Sequence, residues 1–353
     1  EYSIEYIEYL LSKSIKDQLV SDVKKGIALS GGLDSSLLVA LSSKFDLKNI
    51  NTYSVFFKEK TYNNKIIDES KFINYIVQKY KTNHHKILLD EKKFTQLFPK
   101  CVWFNDEPLN FPHSIGIFLL AKLASENNCK VLLGGEGSDE FFAGYSFFNE
   151  INLNKFKYKF SDPKVVNKLL ICKSHNKFTR EKFLLTKFNS INKQIYFASQ
   201  TYLQSIENRL DKMSMANSVE FRVPFINKTL YQASLNLDNS FKINNGETKF
   251  ILKKIAESHF NKKHIYRPKI GFSTPINKWI RNKKLFGNYI KLLEEKKFKE
   301  RGIFERREIN LLLKRFYDNP KESPNYSNAG LIWSILNLEI WMRLFIDNKQ
   351  FKF

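Results

Sequence analysis

The chain runs Ser30-Gly31-Gly32-Leu33-Asp34-Ser35-Ser36 near its start, and these residue types at this spacing can do chemistry on an anion. Two glycines let the backbone bend sharply, so that several N–H groups can face one phosphate, and the hydroxyls of Ser35 and Ser36 can add donors. Asp34 is the odd member, because a carboxylate beside phosphates is repulsive unless a divalent cation stands between them. The commoner phosphate loop, Gly-x-x-x-x-Gly-Lys-Ser/Thr, places a lysine on the terminal phosphates; here there is no lysine, and an aspartate takes the metal-holding part. A glycine-rich helix start with a capping side chain would explain the glycines but not the whole run.

A second run, Gly134-Gly135-Glu136-Gly137-Ser138-Asp139-Glu140, has three glycines and three acids in seven residues, which does not suit a core. A helix entered at Ser138 would let Asp139 share a Mg²⁺ with Asp34 while Glu136 faces a substrate. Read alone, the run is equally an acidic helix start favoured by the helix dipole.

Both runs need a frame that brings them together. Residues 1 to about 135 alternate strand-like apolar runs (Gly26–Leu29, Thr52–Phe57, Lys86–Leu89, Lys130–Leu133) with helical periods (Ile4–Leu19, Asp34–Lys44, Glu69–Tyr80, His113–Asn127). That alternation predicts a doubly wound parallel α/β sheet with helices on both faces, in which ligands sit at the carboxyl ends of strands. The two glycine-acid runs each follow such a strand. Beyond about residue 150 strand signals fade, and Phe183–Ile206, Asn208–Ser218 and Leu285–Asp347 read as mostly helical. The expected organisation is a nucleotide-binding α/β core over 1–150 and a mainly helical extension over 151–353 that completes the site.

Composition narrows the class. The 353 residues are 42% hydrophobic, with no apolar run of membrane-spanning length, and the charged start Glu1-Tyr2-Ser3-Ile4-Glu5 has no apolar signal core. Three scattered cysteines, Cys101, Cys129 and Cys172, make neither a disulfide framework nor a zinc pattern, and they fit a reducing cytoplasm. His84 and His85 are adjacent, form no metal pattern and read as loop residues. The net charge of +22 would suit an anionic partner, but the lysines are dispersed. The densest basic stretch, Arg281 to Arg315, interleaves Glu294, Glu295, Glu300 and Glu305 as solvated helix faces do, so nucleic acid is not the expected partner.

The first run resembles the PP-loop of ATP pyrophosphatases. With the second run and two later segments, it resembles the synthetase domain of glutamine-dependent asparagine synthetases, a group related to β-lactam and carbapenam synthetases and lasso-peptide cyclases. The later segments are Arg209-Leu210-Asp211-Lys212-Met213-Ser214-Met215-Ala216, continuing through Glu220-Phe221-Arg222-Val223-Pro224-Phe225, and Arg267-Pro268-Lys269-Ile270-Gly271-Phe272-Ser273-Thr274-Pro275, closed by Trp279. Asp106-Glu107-Pro108 is a weaker match. The resemblance spans about residues 5 to 285 and implies a fold of the PP-loop (adenine nucleotide alpha hydrolase-like) type. It implies that Leu29, Ser30, Gly31, Gly32 and Ser35 bind ATP with Val55 against the adenine, that Gly134 and Gly135 complete that pocket, and that Asp34 and Asp139 hold Mg²⁺. Glu136 would support formation of an acyl-adenylate, Lys269 would be the catalytic lysine and Lys249 a second phosphate-side lysine. A lysine and Mg²⁺ suit that chemistry, since attack of a carboxylate on the α-phosphorus builds charge on the departing pyrophosphate.

The implied reaction is adenylation of a carboxylate, the side chain of aspartate, followed by displacement of AMP by ammonia. Other carboxylates (a peptide, a sugar acid, a β-amino acid closed on itself) stay open, as do a PP-loop RNA-modifying protein, a non-catalytic relative and a homo-oligomer. Arg222 with Glu220 reads as a structural ion pair, and Met213 and Met215 read as core. The family often has Thr or Ser where Gly134 stands and Asp where Asn227 stands, and Glu207 is near the position of its amino-group acid. No counterpart of the family's glutaminase, with its leading nucleophilic cysteine, is read in this sequence. Ammonia is therefore expected free, from an N-terminal domain no longer attached, or from a separate subunit.

Overall fold

The computed structural model describes residues 2–45, 50–58, 61–62, 65–66, 68–109, 111–149, 167–172, 190–269, 274–319 and 328–348. Its centre is a five-stranded, wholly parallel sheet. In chain order the elements that build it are helix α1 (Tyr2–Gln18), strand β1 (Lys25–Ala28), α2 (Leu33–Ser42), β2 (Asn51–Phe57), α3 (Ser70–Tyr80), β3 (Asn83–Leu89), α4 (Glu91–Asn105), α5 (Ser114–Glu126), β4 (Val131–Leu133), α6 (Ser138–Phe141), α7 (Leu203–Met215) and β5 (Glu220–Arg222).

The strand order is β3-β2-β1-β4-β5, with Gly26 beside both Asn51 and Leu132. The chain winds outward from β1 in one direction and then restarts at β4 on the other side. The crevice between the carboxyl ends of β1 and β4 is therefore the switch point at which such sheets bind ligands. The sheet's alternating side chains feed two faces. Ile27, Leu29, Val131 and Leu133 pack with α1, α2 and α3, whereas Tyr53 and Leu132 face Ala121 and Ala124 of α5.

Three elements differ from the sequence reading. Helix α4 occupies a stretch where the sequence predicts no element; its start is fixed by Asp90, whose carboxylate accepts the Lys93 N–H at 2.8 Å. Strand β5 is a three-residue edge strand, too short for an alternation to show, and it pairs with β4 in parallel. His84 and His85 lie within β3 rather than in a loop, with Thr52 against His84 Nδ1 at 3.0 Å and His85 stacked on Tyr53 at 4.9 Å.

Of the helical run expected from Phe183, residues 183–189 lie outside the described residues. The rest is continuous helix from Ser190, with a π stretch at Ala198–Tyr202 leading into α7. Further on come α8 (Lys228–Asn236), α9 (Phe250–Ala256), α10 (Lys262–Ile265), α11 (Ile276–Arg281), α12 (Lys283–Leu292), α13 (Lys296–Glu300), α14 (Arg306–Asp318) and α15 (Asn328–Phe345). An aromatic cluster joins this part to α4: Phe94 meets Trp279 at 4.7 Å, and Phe98 stacks on Trp333 at 4.3 Å. No helix among the described residues is long and apolar enough to cross a membrane.

Candidate active site

The first loop leaves β1 and turns at Gly31, whose φ of +80° is the left-handed region open to glycine. The loop closes on itself through Ser35, whose hydroxyl receives the Ser30 N–H at 3.2 Å and lies 3.0 Å from the Ser30 hydroxyl. Ser36 does not add a donor to the loop: it is fully buried, 3.0 Å from His264 Nε2. Ser36 lies one residue further into α2, and helical geometry turns its side chain away from the anion side. The Ser54 hydroxyl donates to the Leu29 carbonyl, so β2 fastens the loop's first residue, and Val55 follows half-buried on the same strand.

The second loop is held from the other flank, where the Gly134 N–H donates to the Arg222 carbonyl of β5 at 2.9 Å. Its glycines are there for close approach. A Cβ at Gly135 would lie 2.9 Å from Asp34 Cβ and 3.2 Å from Ser35 N, so the two loops touch through a missing side chain. A Cβ at Gly134 would fall 2.1 Å from the Phe221 ring and 2.3 Å from Glu136 Oε2; in this chain those two side chains fill the space that a Thr or Ser would take. Helix α6 begins at Ser138, as the sequence predicts.

The two aspartates meet at one ammonium. Lys249 Nζ lies 2.7 Å from Asp34 Oδ2 and 2.8 Å from Asp139 Oδ1, and it donates to the Ser138 hydroxyl at 2.7 Å. Ser138 in turn donates to Asp34 Oδ1 at 2.5 Å. The two carboxylates therefore stand no farther apart than those two contacts laid end to end. Lys269, half exposed, pairs with the same Asp139 Oδ1, and its ammonium sits 4.7 Å from the centre of the Tyr145 ring.

Burial alone would raise the Asp139 pKa, but the two lysines outweigh it and hold the group down at about 2. Burial also pulls Lys249 down, and the aspartates overcome it, so its pKa is raised and the ammonium stays charged. Gly144, to which the sequence assigns no role, closes the same loop: a Cβ there would lie 2.0 Å from Asp139 Oδ1 and 2.1 Å from Lys249 Cε. Only a residue without a side chain admits this cluster.

Beside the cluster stand Glu136 and Arg209. Burial raises the Glu136 pKa, and its Oε2 has no hydrogen-bond partner among the described residues. The Arg209 guanidinium stacks 4.5 Å from the Phe111 ring and leaves Nε and Nη1 without hydrogen-bond partners among the described residues, though it is close enough for Glu136 to favour its charge. Both are buried side chains that keep hydrogen-bonding atoms unused among the described residues. Tyr145, packed edge-on against Tyr202 at 5.6 Å, donates to the buried carboxylate of Glu140, whose pKa burial and Asp139 push up to about 7.

The other marked residues fall into structural places. Asn227 caps α8 by accepting the Thr229 N–H at 2.9 Å, which an aspartate would do equally well. Glu207 is two residues from Arg209 on α7 and so points off another side. Arg222 pairs with Glu220 at 2.8 Å and ties the Gln18 and Val20 carbonyls to the sheet. Met213 is core, but Met215 is 51% exposed, because α7 turns its last residue outward. Residues 270–273, with Gly271 and Phe272, lie outside the described residues, whereas Trp279 is fully buried among the aromatics of α4.

A parallel α/β sheet with two glycine-acid loops meeting at its switch point has the layout of a doubly wound ligand-binding fold, in which ligands sit at the carboxyl ends of the strands. The chain belongs to the asparagine synthase family, whose model matches residues 6–343. It is similar to asparagine synthetase [glutamine-hydrolyzing] 1 of Bacillus subtilis, 27% identical over 95% of this chain and 58% of that protein. It is also similar to a putative asparagine synthetase [glutamine-hydrolyzing] 2 of Methanocaldococcus jannaschii, 36% identical over 40% of this chain and 26% of that protein. The mouse asparagine synthetase [glutamine-hydrolyzing] is 26% identical over 78% of this chain and 44% of that protein. The chain thus spans about half the length of the curated relatives it matches. Among solved structures, a U34-tRNA thiolase of Methanococcus maripaludis overlaps 84% of this chain and 81% of its own at 14% identity, with a TM-score of 0.31, a likeness that transfers nothing about function. The PP-loop α/β fold follows with family membership.

Proposed function

We propose that this chain uses ATP to adenylate the side-chain carboxylate of aspartate, releasing pyrophosphate, and that ammonia then displaces AMP to give asparagine. The observation that carries the reading is the single Lys249 ammonium joining Asp34 of the first loop to Asp139 of the second.

The residues divide the work. The backbone of Leu29, Ser30, Gly31 and Gly32, closed by Ser35, cradles the phosphates, with Val55, Gly134 and Gly135 bounding the nucleotide. Lys269 and Lys249 neutralise the charge that grows on the departing pyrophosphate. Arg209 takes the α-carboxylate of the amino acid, and Glu136 orients the group that reacts at the α-phosphorus.

Among the described residues no three His, Cys, Asp or Glu side chains gather into a metal centre, but the paired carboxylates of Asp34 and Asp139 are what Mg²⁺ takes from a protein when phosphates supply the rest. Bound there, Mg²⁺ would neutralise phosphate charge. The nucleotide core over 1–150 supplies the loops, and the helical part over 151–353 supplies Arg209, Lys249 and Lys269. The nitrogen comes as ammonia from a glutaminase, in the same longer polypeptide or in a partner subunit. The cytoplasm suits the free thiols of Cys101, Cys129 and Cys172.

The test is ATP–pyrophosphate exchange with a panel of carboxylic acids, with and without ammonium. Exchange stimulated by aspartate, with asparagine formed when ammonium is present, is the expected result. Exchange with a different acid alone overturns the substrate, and exchange that requires tRNA overturns the reaction.

A further inference from the structure

We propose that Arg267 is a positioning residue: it pins the segment bearing Lys269 to the first loop, so that the ammonium stands in register with phosphates held there. The inference deepens the reading of Lys269 given above and rests on it.

Arg267 is committed on every side. Its Nη2 donates to the Gly31 carbonyl at 2.8 Å and reaches Glu69 Oε2 at 2.6 Å, while Nη1 donates to Glu69 Oε1 at 3.0 Å. The guanidinium lies 4.0 Å over the ring of Phe72. Glu69 and Phe72 belong to the start of α3, and Gly31 packs against that same turn: a Cβ there would meet Ile73 Cγ1 at 3.0 Å. One guanidinium therefore joins three parts of the molecule, namely the phosphate loop, the first turn of α3 and the segment after α10. A planar guanidinium that spends one N–H on a carboxylate and another on a backbone carbonyl, with the second carboxylate oxygen in charge contact, fixes orientation as well as distance. Just upstream on α10, His264 holds Ser36, so the segment is fastened to α2 as well.

Lys269, two residues further on, has no such fixture among the described residues. It lies outside any helix or strand, and its contacts are the Asp139 carboxylate and the Tyr145 ring. Two residues of chain reach at most about 7 Å, so the place of the Lys269 backbone follows from the place of Arg267. Misplacement by an ångström is enough to lose much of an oriented charge's effect.

Glu69 is largely buried, so removing Arg267 alone would strand a carboxylate and confound the result. The test therefore uses the neutral pair Glu69→Gln with Arg267→Gln, and it reads calorimetric binding of magnesium pyrophosphate. That readout does not depend on which carboxylate the enzyme activates. Lys269→Ala is expected to weaken binding about tenfold, the paired variant by a similar factor, and all three changes together by no more than Lys269→Ala alone.

Arg267→Lys keeps the charge against Glu69 but cannot also span to Gly31. It is expected to keep its melting temperature and still bind less tightly, which a merely structural role would not produce. Wild-type affinity in the paired variant, or losses that multiply when combined with Lys269→Ala, overturns the positioning role and leaves Lys269 a phosphate ligand. Unchanged affinity in Lys269→Ala overturns the phosphate role and the positioning role together.

Discussion

Near the end of α15, Glu339 takes both Arg301 and Arg343 at 2.6 Å, Asp347 takes Arg301 and Lys297, and Arg343 reaches on to Glu295. At the strand ends, Lys249 takes Asp34 and Asp139, but Glu136 and Arg209 beside them keep open valences. Both regions bury charge. The first matches each charge with an opposite one, leaving only Arg343 Nη2 without a hydrogen bond among the described residues, and so joins α13 to α15. The second assembles acids and bases that do not exhaust one another. A buried ionic group that is fully matched has nothing left to offer a ligand, whereas one left short is costly unless something else completes it.

The contrast is sharpest where one partner is removed. Glu339→Gln leaves two nearly buried guanidinium groups underpaired and is expected to destabilise folding by about 3–5 kcal/mol in denaturant titration. A loss below 1 kcal/mol would mean that this cluster is not the structural one. Lys269→Ala is expected to do the reverse. Its ammonium is half exposed, so unfolding should shift by less than about 1 kcal/mol, while ATP–pyrophosphate exchange should fall about 100- to 1000-fold. Near-normal exchange would remove Lys269 from the chemistry.

Space can be tested as charge can. Gly134→Ala drives a methyl into the Phe221 ring and is expected to cost about 1–3 kcal/mol, with nucleotide affinity falling alongside. Adding Phe221→Val should restore both in part, since Glu136 Oε2 lies 2.3 Å from the same methyl and must still move, and a double variant as poor as the single one would show that the Glu136 contact is the costlier.

The smallest effect is in acid. Burial holds the pKa of His84 and of His264 down at about 4, against an ordinary value of 6.5. Between those values the unfolded chain binds more protons than the folded one, so stability should decline as pH falls from about 6.5 to 4. Asp139, held at about 2, keeps its charge through that window. A thermal melt series with His264→Asn should show a shallower decline, whereas an unchanged slope would shift the cause to the ionic clusters.

Much of this was readable from residue types. The parallel sheet followed from alternating elements, and the meeting of the two loops followed from their both trailing strands of one sheet. The start of α6 at Ser138 was likewise visible. What was hidden depends on distant partners. Gly144 matters because Lys249, a hundred residues away, passes where its side chain would be. The open valences of Arg209 arise from α7 lying against a loop, and a run of letters does not show which charges find partners. Strand β5 is too short to leave a period, and α4 was announced only by the cap at Asp90. Ser36 was misjudged because adjacent serines look alike until the helix turns one of them inward.

Lys249 has a consequence for the order of events. With its ammonium lodged between the two aspartates, the cluster already carries its own counter-ion, and a lone divalent ion would have to evict a charge held by several short contacts. A triphosphate changes that balance, because it brings more negative charge than one lysine can offset. Magnesium without nucleotide should give no heat on titration, and the metal should enter as a passenger of ATP rather than wait for it.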